Sequence, residues 1–231
     1  MIIEFSRIRG FAIRGLSLRG FSLSLLAGLL LVVSAAPTAW AQGGAVEGRQ
    51  YLRIKPVPVE TGKKIEVIEF FSYGCPHCGE FEPVVQQWLK TIPADVAFRR
   101  IPVNFQPRWV NLAKIYYTLE AMGEEATLSP EVFVAIHGKG LALWDSDKFF
   151  DWAATKGLDR KKVEDLFNSF TISGRVNRAT QLAQAYNIQE VPTVIIDGKF
   201  ITSPGRAGTH AATPAVMNEL VAKARAERPK S

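Results

Sequence analysis

Apolar and polar positions change period along the chain, and each change marks a predicted element. Residues 65–72 form a nearly continuous apolar run, which is typical of a strand buried on both faces. Apolar residues then recur at helical spacing up to Leu89, with Pro83 inside the pattern, where it predicts a kink. A second strand is predicted at residues 96–103, and a short edge strand at residues 51–54.

The helical period continues through residues 106–185, so this part of the chain is predicted to be all-helical. Ser129 and Pro130 predict one helix start, with the serine as the cap and the proline at the first position. Asp145 and Asp159 predict the N-caps of two further helices.

Strand patterns return after this helical block. Residues 193–196 and 199–202 flank Asp197-Gly198, a strong signal for a hairpin. Thr213-Pro214 predicts the start of a final helix. The order of elements indicates an α/β fold interrupted by helices. We divide the chain into a leader (1–41), the first part of an α/β domain (42–105), a helical insertion (106–185) and the second part of the α/β domain (186–231).

The leader has the layout of a secretory signal peptide. Four arginines precede an uncharged apolar run from Phe21 to Ala36, and Ala39-Trp40-Ala41 predicts cleavage before Gln42. An uncleaved membrane anchor is the alternative, although the run is short for a bilayer span of about 20 residues. The leader therefore predicts export to the periplasm.

The chain carries a formal net charge of +6, part of which belongs to the leader. Basic residues nowhere form a run interleaved with aromatic residues. This composition argues against a nucleic-acid-binding protein.

The only two cysteines, Cys75 and Cys78, lie two residues apart at the predicted start of a helix. Unpaired N–H groups and the helix dipole stabilise a thiolate there, which lowers its pKa from about 8.5. A structural zinc site needs four ligands, and the chain has only three histidines to add. A purely structural disulfide closing so short a loop would stabilise little. The pattern favours a redox pair, with no metal and no flavin or nicotinamide motif.

Three segments together resemble the DsbA family of thioredoxin-like thiol–disulfide oxidants. They are Glu69-Phe70-Phe71-Ser72-Tyr73-x-Cys75-Pro76-His77-Cys78, Val103-Asn104-Phe105 and Val191-Pro192. The resemblance implies a thioredoxin fold with an inserted all-helical domain. It also implies that Cys75 is the nucleophile, that Cys78 is the buried resolving cysteine, and that Pro76 and His77 tune the redox potential.

The resemblance further implies a substrate groove at Val191 and Pro192, with Pro192 cis. It places acidic residues near the buried cysteine, at Glu69 and Glu82, with a basic partner at Arg100. The family usually has lysine there. An arginine keeps its proton at working pH, which puts a proton relay through this position in doubt.

The alternative for Glu82 and Arg100 is an exposed helix residue and a charge at a strand end, since long charged side chains are mostly solvated. Glu69 lies in a strand that is mostly apolar, and burial of a charge is costly, so Glu69 is harder to dismiss as an ordinary residue. His137 and His210 are interpreted as ordinary surface or capping histidines.

The predicted function is that of a periplasmic thiol–disulfide oxidoreductase, which donates its Cys75–Cys78 disulfide to exported proteins with free thiols. The resemblance implies reoxidation by a DsbB-like, quinone-linked membrane protein. We expect a monomer without a cofactor of its own. A reductase or isomerase of the same fold remains an alternative, as does a chaperone-like peptide-binding module.

Overall fold

A computed structural model describes residues 44–228, so the predicted leader at residues 1–41 lies outside the described part. The centre of the fold is a five-stranded sheet with strand order β1-β5-β4-β2-β3. The strands are β1 (Leu52–Arg53), β2 (Ile65–Phe71), β3 (Val96–Pro102), β4 (Thr193–Ile196) and β5 (Phe200–Thr202). β2 and β3 are parallel, and the remaining pairs are antiparallel.

Helices surround the sheet and are numbered in their order along the chain. They are α1 (Pro76–Leu89), α2 (Trp109–Met122), α3 (Glu125–Phe133), a π-helix (Val134–Gly138), α4 (Ser146–Thr155), α5 (Arg160–Phe167), α6 (Phe170–Ala185), α7 (Pro204–Ala207) and α8 (Thr213–Glu227). The segment between β3 and β4 therefore consists of helices α2 to α6 and the π-helix. This is a thioredoxin-like α/β fold with a helical insertion.

The burial of the central strand β2 on both faces accounts for its largely apolar sequence. All seven of its residues are buried, as its apolar run predicted. Ile68 and Phe70 belong to a core shared with the inserted helices. Ile65 and Val67 belong to a second core, which is shared with α1 and α8. A strand buried on both faces has no solvent side, so it lacks polar alternation.

Several local predictions are confirmed. The Asp145 and Asp159 side chains accept hydrogen bonds from the backbone N–H groups of Asp147 and Lys162, at 3.1 and 2.8 Å, and so cap α4 and α5. The predicted hairpin joins β4 to β5 through Asp197 and Gly198.

The hairpin turn depends on the glycine. Asp197 and Gly198 have φ values of 52° and 63°, as a type I′ turn requires. A Cβ atom on Gly198 would lie 2.1 Å from the carbonyl oxygen of Val57, so a larger residue does not fit without displacing that backbone. Gly198 therefore fixes both the turn and the chain packed against it.

The prediction of a helix start at Ser129 and Pro130 is wrong, because both residues lie inside α3. α3 begins at Glu125, and its chain continues directly into the π-helix. The Ser129 hydroxyl is buried and bonded to the Tyr73 hydroxyl and, at 3.1 Å, to the Glu125 carboxylate. It is therefore occupied by side chains and does not cap a helix.

The final helix begins at Thr213, as predicted, but the threonine side chain does not cap it. The Thr213 hydroxyl instead donates to the carbonyl oxygen of Thr209 at 2.9 Å. Between residues 44 and 228, no helix is both long enough and apolar enough to span a bilayer.

Candidate active site

Cys75 and Cys78 lie at the junction of β2 and α1, where the central strand delivers the chain to a helix start. Cys75 is the N-cap of α1 in an extended conformation, and Pro76 occupies the first helical position. The Cys75 carbonyl accepts backbone hydrogen bonds from Cys78 and Gly79, at 3.1 and 3.2 Å. Both thiols are free, and both side chains are buried, with Cys75 7% and Cys78 1% exposed.

The surroundings of Cys75 favour its thiolate. A hydrogen bond from the Cys78 thiol, backbone N–H groups of Cys78 and His77, and the charge of His77 lower the pKa of Cys75 to about 6. Partial burial opposes this shift. Donors directed at a sulfur stabilise its charged form, which is the stabilisation expected at a helix N-terminus.

The surroundings of Cys78 favour its thiol. Burial raises the pKa of Cys78 well above its ordinary value, and the neighbouring Cys75 and Glu69 raise it further. Thiolates are the attacking and leaving species in disulfide exchange. The two cysteines of one short motif are therefore chemically unequal.

A groove lies beside the thiols. The Val191–Pro192 peptide bond is cis, as the resemblance implied. The Val191 carbonyl oxygen is 3.4 Å from the Cys75 sulfur. Val191 and Pro192 line the groove together with His77 and His210. The segment at which the resemblance implied a substrate groove therefore lies beside Cys75.

The interpretation of His137 and His210 as ordinary surface or capping histidines fits His137, which is exposed, but not His210, whose ring lines the groove beside the motif. The ring of His210 lies 6.4 Å from the ring of His77 and 5.8 Å from that of Phe81, centroid to centroid. A ring nitrogen of His137, Nε2, is 2.8 Å from the carbonyl oxygen of Tyr73 in the loop before Cys75. His210 carries no local sequence motif, so only the fold brings it to the site.

Glu69, Glu82 and Arg100 form a buried charge cluster behind the motif. The Arg100 guanidinium donates to Glu69 at 2.8 Å and to Glu82 at 2.6 Å. Each of the three residues is at most 4% exposed. The alternative of exposed, solvated charges at Glu82 and Arg100 is therefore wrong.

The strand pairing explains why the cluster forms. Glu69 on β2 and Arg100 on β3 are directly paired in register, so their side chains emerge side by side. Burial raises the pKa of Glu69 to about 7, and Arg100 limits this rise. Burial on its own would lower the pKa of Arg100, but the carboxylates of Glu69, Glu82 and Glu125 raise it, so the guanidinium stays charged.

The inserted helices extend this cluster in a way that the sequence did not predict. Glu125 on α3 lies 3.4 Å from Arg100 and accepts a hydrogen bond from Ser129. Ser129 in turn is hydrogen-bonded to the buried hydroxyl of Tyr73, which lies two residues before Cys75 in the chain. The spacing of Glu125 and Ser129, four residues apart, was the available signal, because such residues share a helix face.

Comparison with known proteins gives a consistent result. The family model described as the DSBA-like thioredoxin domain matches residues 66–211. A protein named "Thiol:disulfide interchange protein DsbA" from Bordetella parapertussis is 40% identical, over 87% of this chain and 96% of its own length. A protein of the same name from Pseudomonas aeruginosa is 37% identical, over 87% of this chain and 96% of its own length.

Solved structures agree with these relatives. The crystal structure of Pseudomonas aeruginosa DsbA matches with a TM-score of 0.75 and 40% identity, covering 78% of this chain and 94% of that chain. The structure of the oxidoreductase DsbA from Xylella fastidiosa matches with a TM-score of 0.73 and 27% identity, covering 78% of this chain and 98% of that chain.

Proposed function

The chain belongs to the DSBA-like thioredoxin domain family and is a thiol:disulfide oxidoreductase, and from that premise we propose how its residues divide the work. Cys75 is the cysteine that exchanges with substrate, and Cys78 is the buried resolving partner. The substrates are exported proteins with free thiols, which leave with a disulfide. The observation that carries this proposal is the placement of the two cysteines: Cys75 is the N-cap of α1 beside the Val191 carbonyl oxygen, whereas Cys78 is 1% exposed.

The exchange has two steps. A substrate thiolate attacks the Cys75 sulfur of the Cys75–Cys78 disulfide, which forms a mixed disulfide and releases Cys78. A second substrate thiolate then attacks the substrate sulfur of the mixed disulfide and releases Cys75. The substrate dithiol is oxidised to a disulfide, and the Cys75–Cys78 disulfide is reduced to two thiols. A pKa of about 6 makes Cys75 a good leaving group in the second step, and so favours oxidation of substrate.

The released Cys78 needs a proton, because its own pKa is high. Glu69 is suited to exchange that proton, since its pKa of about 7 lies near working pH and its charge acts on Cys78. Arg100 remains protonated and acts as a positioning residue that holds Glu69 and Glu82. Pro76 and His77 tune Cys75 through the helix start and through the imidazole charge.

Val191 and Pro192 are proposed as the substrate-binding edge. Their backbone lies beside Cys75, and an extended peptide in the groove would pair with it in strand fashion. A chaperone-like peptide-binding module would use the same edge without the thiols. The stabilised Cys75 thiolate argues for the oxidant over this module and over a reductase or isomerase.

The decisive experiment is the equilibrium of the dithiol and disulfide forms in glutathione buffers of graded potential. We expect the protein to be fully reduced already in buffers whose potential is well above that of thioredoxin, about −270 mV, and in which thioredoxin is still oxidised. A potential as reducing as that of thioredoxin would favour the reductase. A Cys75→Ser variant that keeps full activity would instead favour the peptide-binding module.

Mapping of alkylation sites tests the assignment of the two cysteines. The reduced protein should be labelled at Cys75 at mildly acidic pH, with slow labelling at Cys78, because only the former is a thiolate there. Mass spectrometry that finds Cys78 labelled first would reverse the two roles.

The cellular setting is proposed from the leader and the family. The signal pattern at residues 1–41 supports export to the periplasm, where disulfides persist. Reoxidation by a DsbB-like, quinone-linked membrane protein would complete the cycle, and we propose a monomer without a bound cofactor. Reoxidation of the purified dithiol by membranes with and without added quinone tests this partner.

A further inference from the structure

His77, Glu80 and His210 form a cluster of three metal-ligand side chains at the edge of the groove. Nδ1 of His77 lies 3.1 Å from Oε2 of Glu80, and Nε2 of His210 lies 4.0 Å from the same oxygen. One ligand atom from each residue falls within 4.8 Å of the other two. Between residues 44 and 228, this is the one such group of histidine, cysteine and acidic side chains.

Two different elements bring the three side chains together. His77 and Glu80 are three residues apart on α1, so they emerge from one face of the helix. His210 comes from the segment before α8, and its ring packs near that of the buried Phe81, 5.8 Å away. The side chain of His210 is 30% exposed, whereas those of His77 and Glu80 are 72% and 59% exposed. One ligand is therefore held by packing, and the other two face solvent.

The chemistry of the three residues suits a transition-metal ion. Two imidazole nitrogens and one carboxylate oxygen are a common protein ligand set for zinc in sites that keep a coordination position open. Metal–ligand bonds of about 2.0–2.2 Å place tetrahedral ligand atoms about 3.4 Å apart. The observed separations of 3.1 and 4.0 Å between the ligand atoms lie on either side of this value. Small side-chain rotations are therefore enough to close the site around an ion.

We propose that the His77–Glu80–His210 cluster binds a divalent transition-metal ion such as Zn²⁺. The ion would tie α1 to the segment before α8 at the mouth of the groove that Val191 and Pro192 line. Its open coordination positions would be filled by water or by an incoming ligand. Bound metal would thereby restrict access of a peptide to Cys75. The metal site does not depend on the proposed disulfide transfer, because neither cysteine belongs to it.

The test uses the oxidised, untagged protein, because a free dithiol binds zinc itself and would mask the cluster. Zn²⁺ is titrated in competition with a chromophoric chelator. We expect one ion per chain for the unaltered protein and at least tenfold weaker binding for Glu80→Gln and His210→Ala. The matched control is His137→Gln, which removes an exposed imidazole outside the cluster and should bind as the unaltered protein does.

Histidine ring signals in NMR spectra supply a second readout during the same titration. Those of His77 and His210 should shift together and saturate at one equivalent, while that of His137 stays in place. Equal zinc affinity in the His210→Ala variant, or a shift confined to His137, would overturn the site. The absence of any binding by the oxidised protein at millimolar zinc would overturn it as well.

Discussion

At the scale of single residues, position relative to the start of α1 gives two identical side chains different protonation states. Cys75 at the N-cap receives hydrogen bonds from the helix start, whereas Cys78, inside the first turn, is enclosed by apolar neighbours. The same chemical group thus becomes a thiolate at one position and a thiol at the other. Burial decides the outcome for Cys78, and hydrogen bonding decides it for Cys75.

The low pKa of Cys75 predicts a pH-dependent stability of the reduced form. Its folded value of about 6 lies below the unfolded value of about 8.5, so the contribution is complete above the unfolded pKa and disappears as pH falls through the folded pKa. Between pH 5 and pH 7.5, the free energy of unfolding should rise by about 2 kcal/mol more for the reduced than for the oxidised form. Denaturant unfolding of both forms measures this difference.

The Cys75→Ala variant is the control for this prediction. Its reduced form lacks the stabilised thiolate, so the extra rise between pH 5 and pH 7.5 should vanish. Measurements stop at pH 7.5 because the raised pKa of Cys78 opposes the effect at higher pH. A rise of the same size in the variant would assign the pH dependence to another group.

Sequence reasoning at this scale succeeded where the signal was local. Cys75, Pro76, His77 and Cys78 are contiguous, so a helix start after a strand was enough to predict their geometry. The burial of Arg100 was not decidable, because it depends on register with a strand far away in the chain. Chain position gives little information about which distant side chains share a cavity.

At the scale of elements, the loop between β2 and α1 is fitted closely against α2. A Cβ atom on Gly74 would lie 2.3 Å from Nε1 of Trp109 and 2.9 Å from Cδ1 of Leu112. Gly74→Ala should therefore force α2 or the loop to move and lower the free energy of unfolding by about 1–3 kcal/mol. Thermal or denaturant unfolding measures the loss.

Gly174 on α6 provides the matched substitution. A Cβ atom there meets nothing within 4 Å, and the residue lies in a helix interior. Gly174→Ala should raise the free energy of unfolding by about 0.5–1 kcal/mol, because alanine loses less backbone entropy on folding. If both variants change stability in the same direction, the contact with α2 is not what requires glycine at position 74.

The elements themselves were predictable to the extent that their signals are local. Apolar periods located the sheet strands and most helices, and Asp145, Asp159 and the Asp197-Gly198 turn marked boundaries correctly. The helix start predicted at Ser129 and Pro130 was wrong because the serine hydroxyl is hydrogen-bonded to the side chains of Tyr73 and Glu125 and does not cap a helix. The π-helix at Val134–Gly138 has no sequence signature comparable to a cap or a turn.

At the scale of the whole molecule, Arg100 joins the sheet to two helices. It contacts carboxylates on β2, α1 and α3 from its own position on β3. Arg100→Met leaves the Glu69 and Glu82 carboxylates buried without a cation, and should lower the free energy of unfolding by about 3–5 kcal/mol at pH 8. The loss should be smaller at pH 5, since protonation of Glu69, whose pKa is raised to about 7 by burial, removes one of the two buried charges.

Arg225→Met is the control for this substitution. Arg225 makes a two-pronged pair with Asp95, at 2.7 and 2.9 Å, but both side chains are nearly half exposed. Its loss should cost less than about 1 kcal/mol, since solvent and salt screen an exposed pair. Similar losses for Arg100→Met and Arg225→Met would mean that the buried cluster does not hold the sheet and helices together.

The burial of β2 on both faces has a consequence for how the native molecule opens. Its side chains complete two separate cores, and its backbone is hydrogen-bonded to β3 on one side and to β4 on the other. Helix α5, in contrast, packs against the helices α2, α4 and α6. In hydrogen–deuterium exchange, α5 should gain deuterium through local opening, whereas the amides of β2 should exchange only when the whole molecule unfolds. The strand that leads directly to the active-site cysteines would then be the last part of the protein to lose its protection.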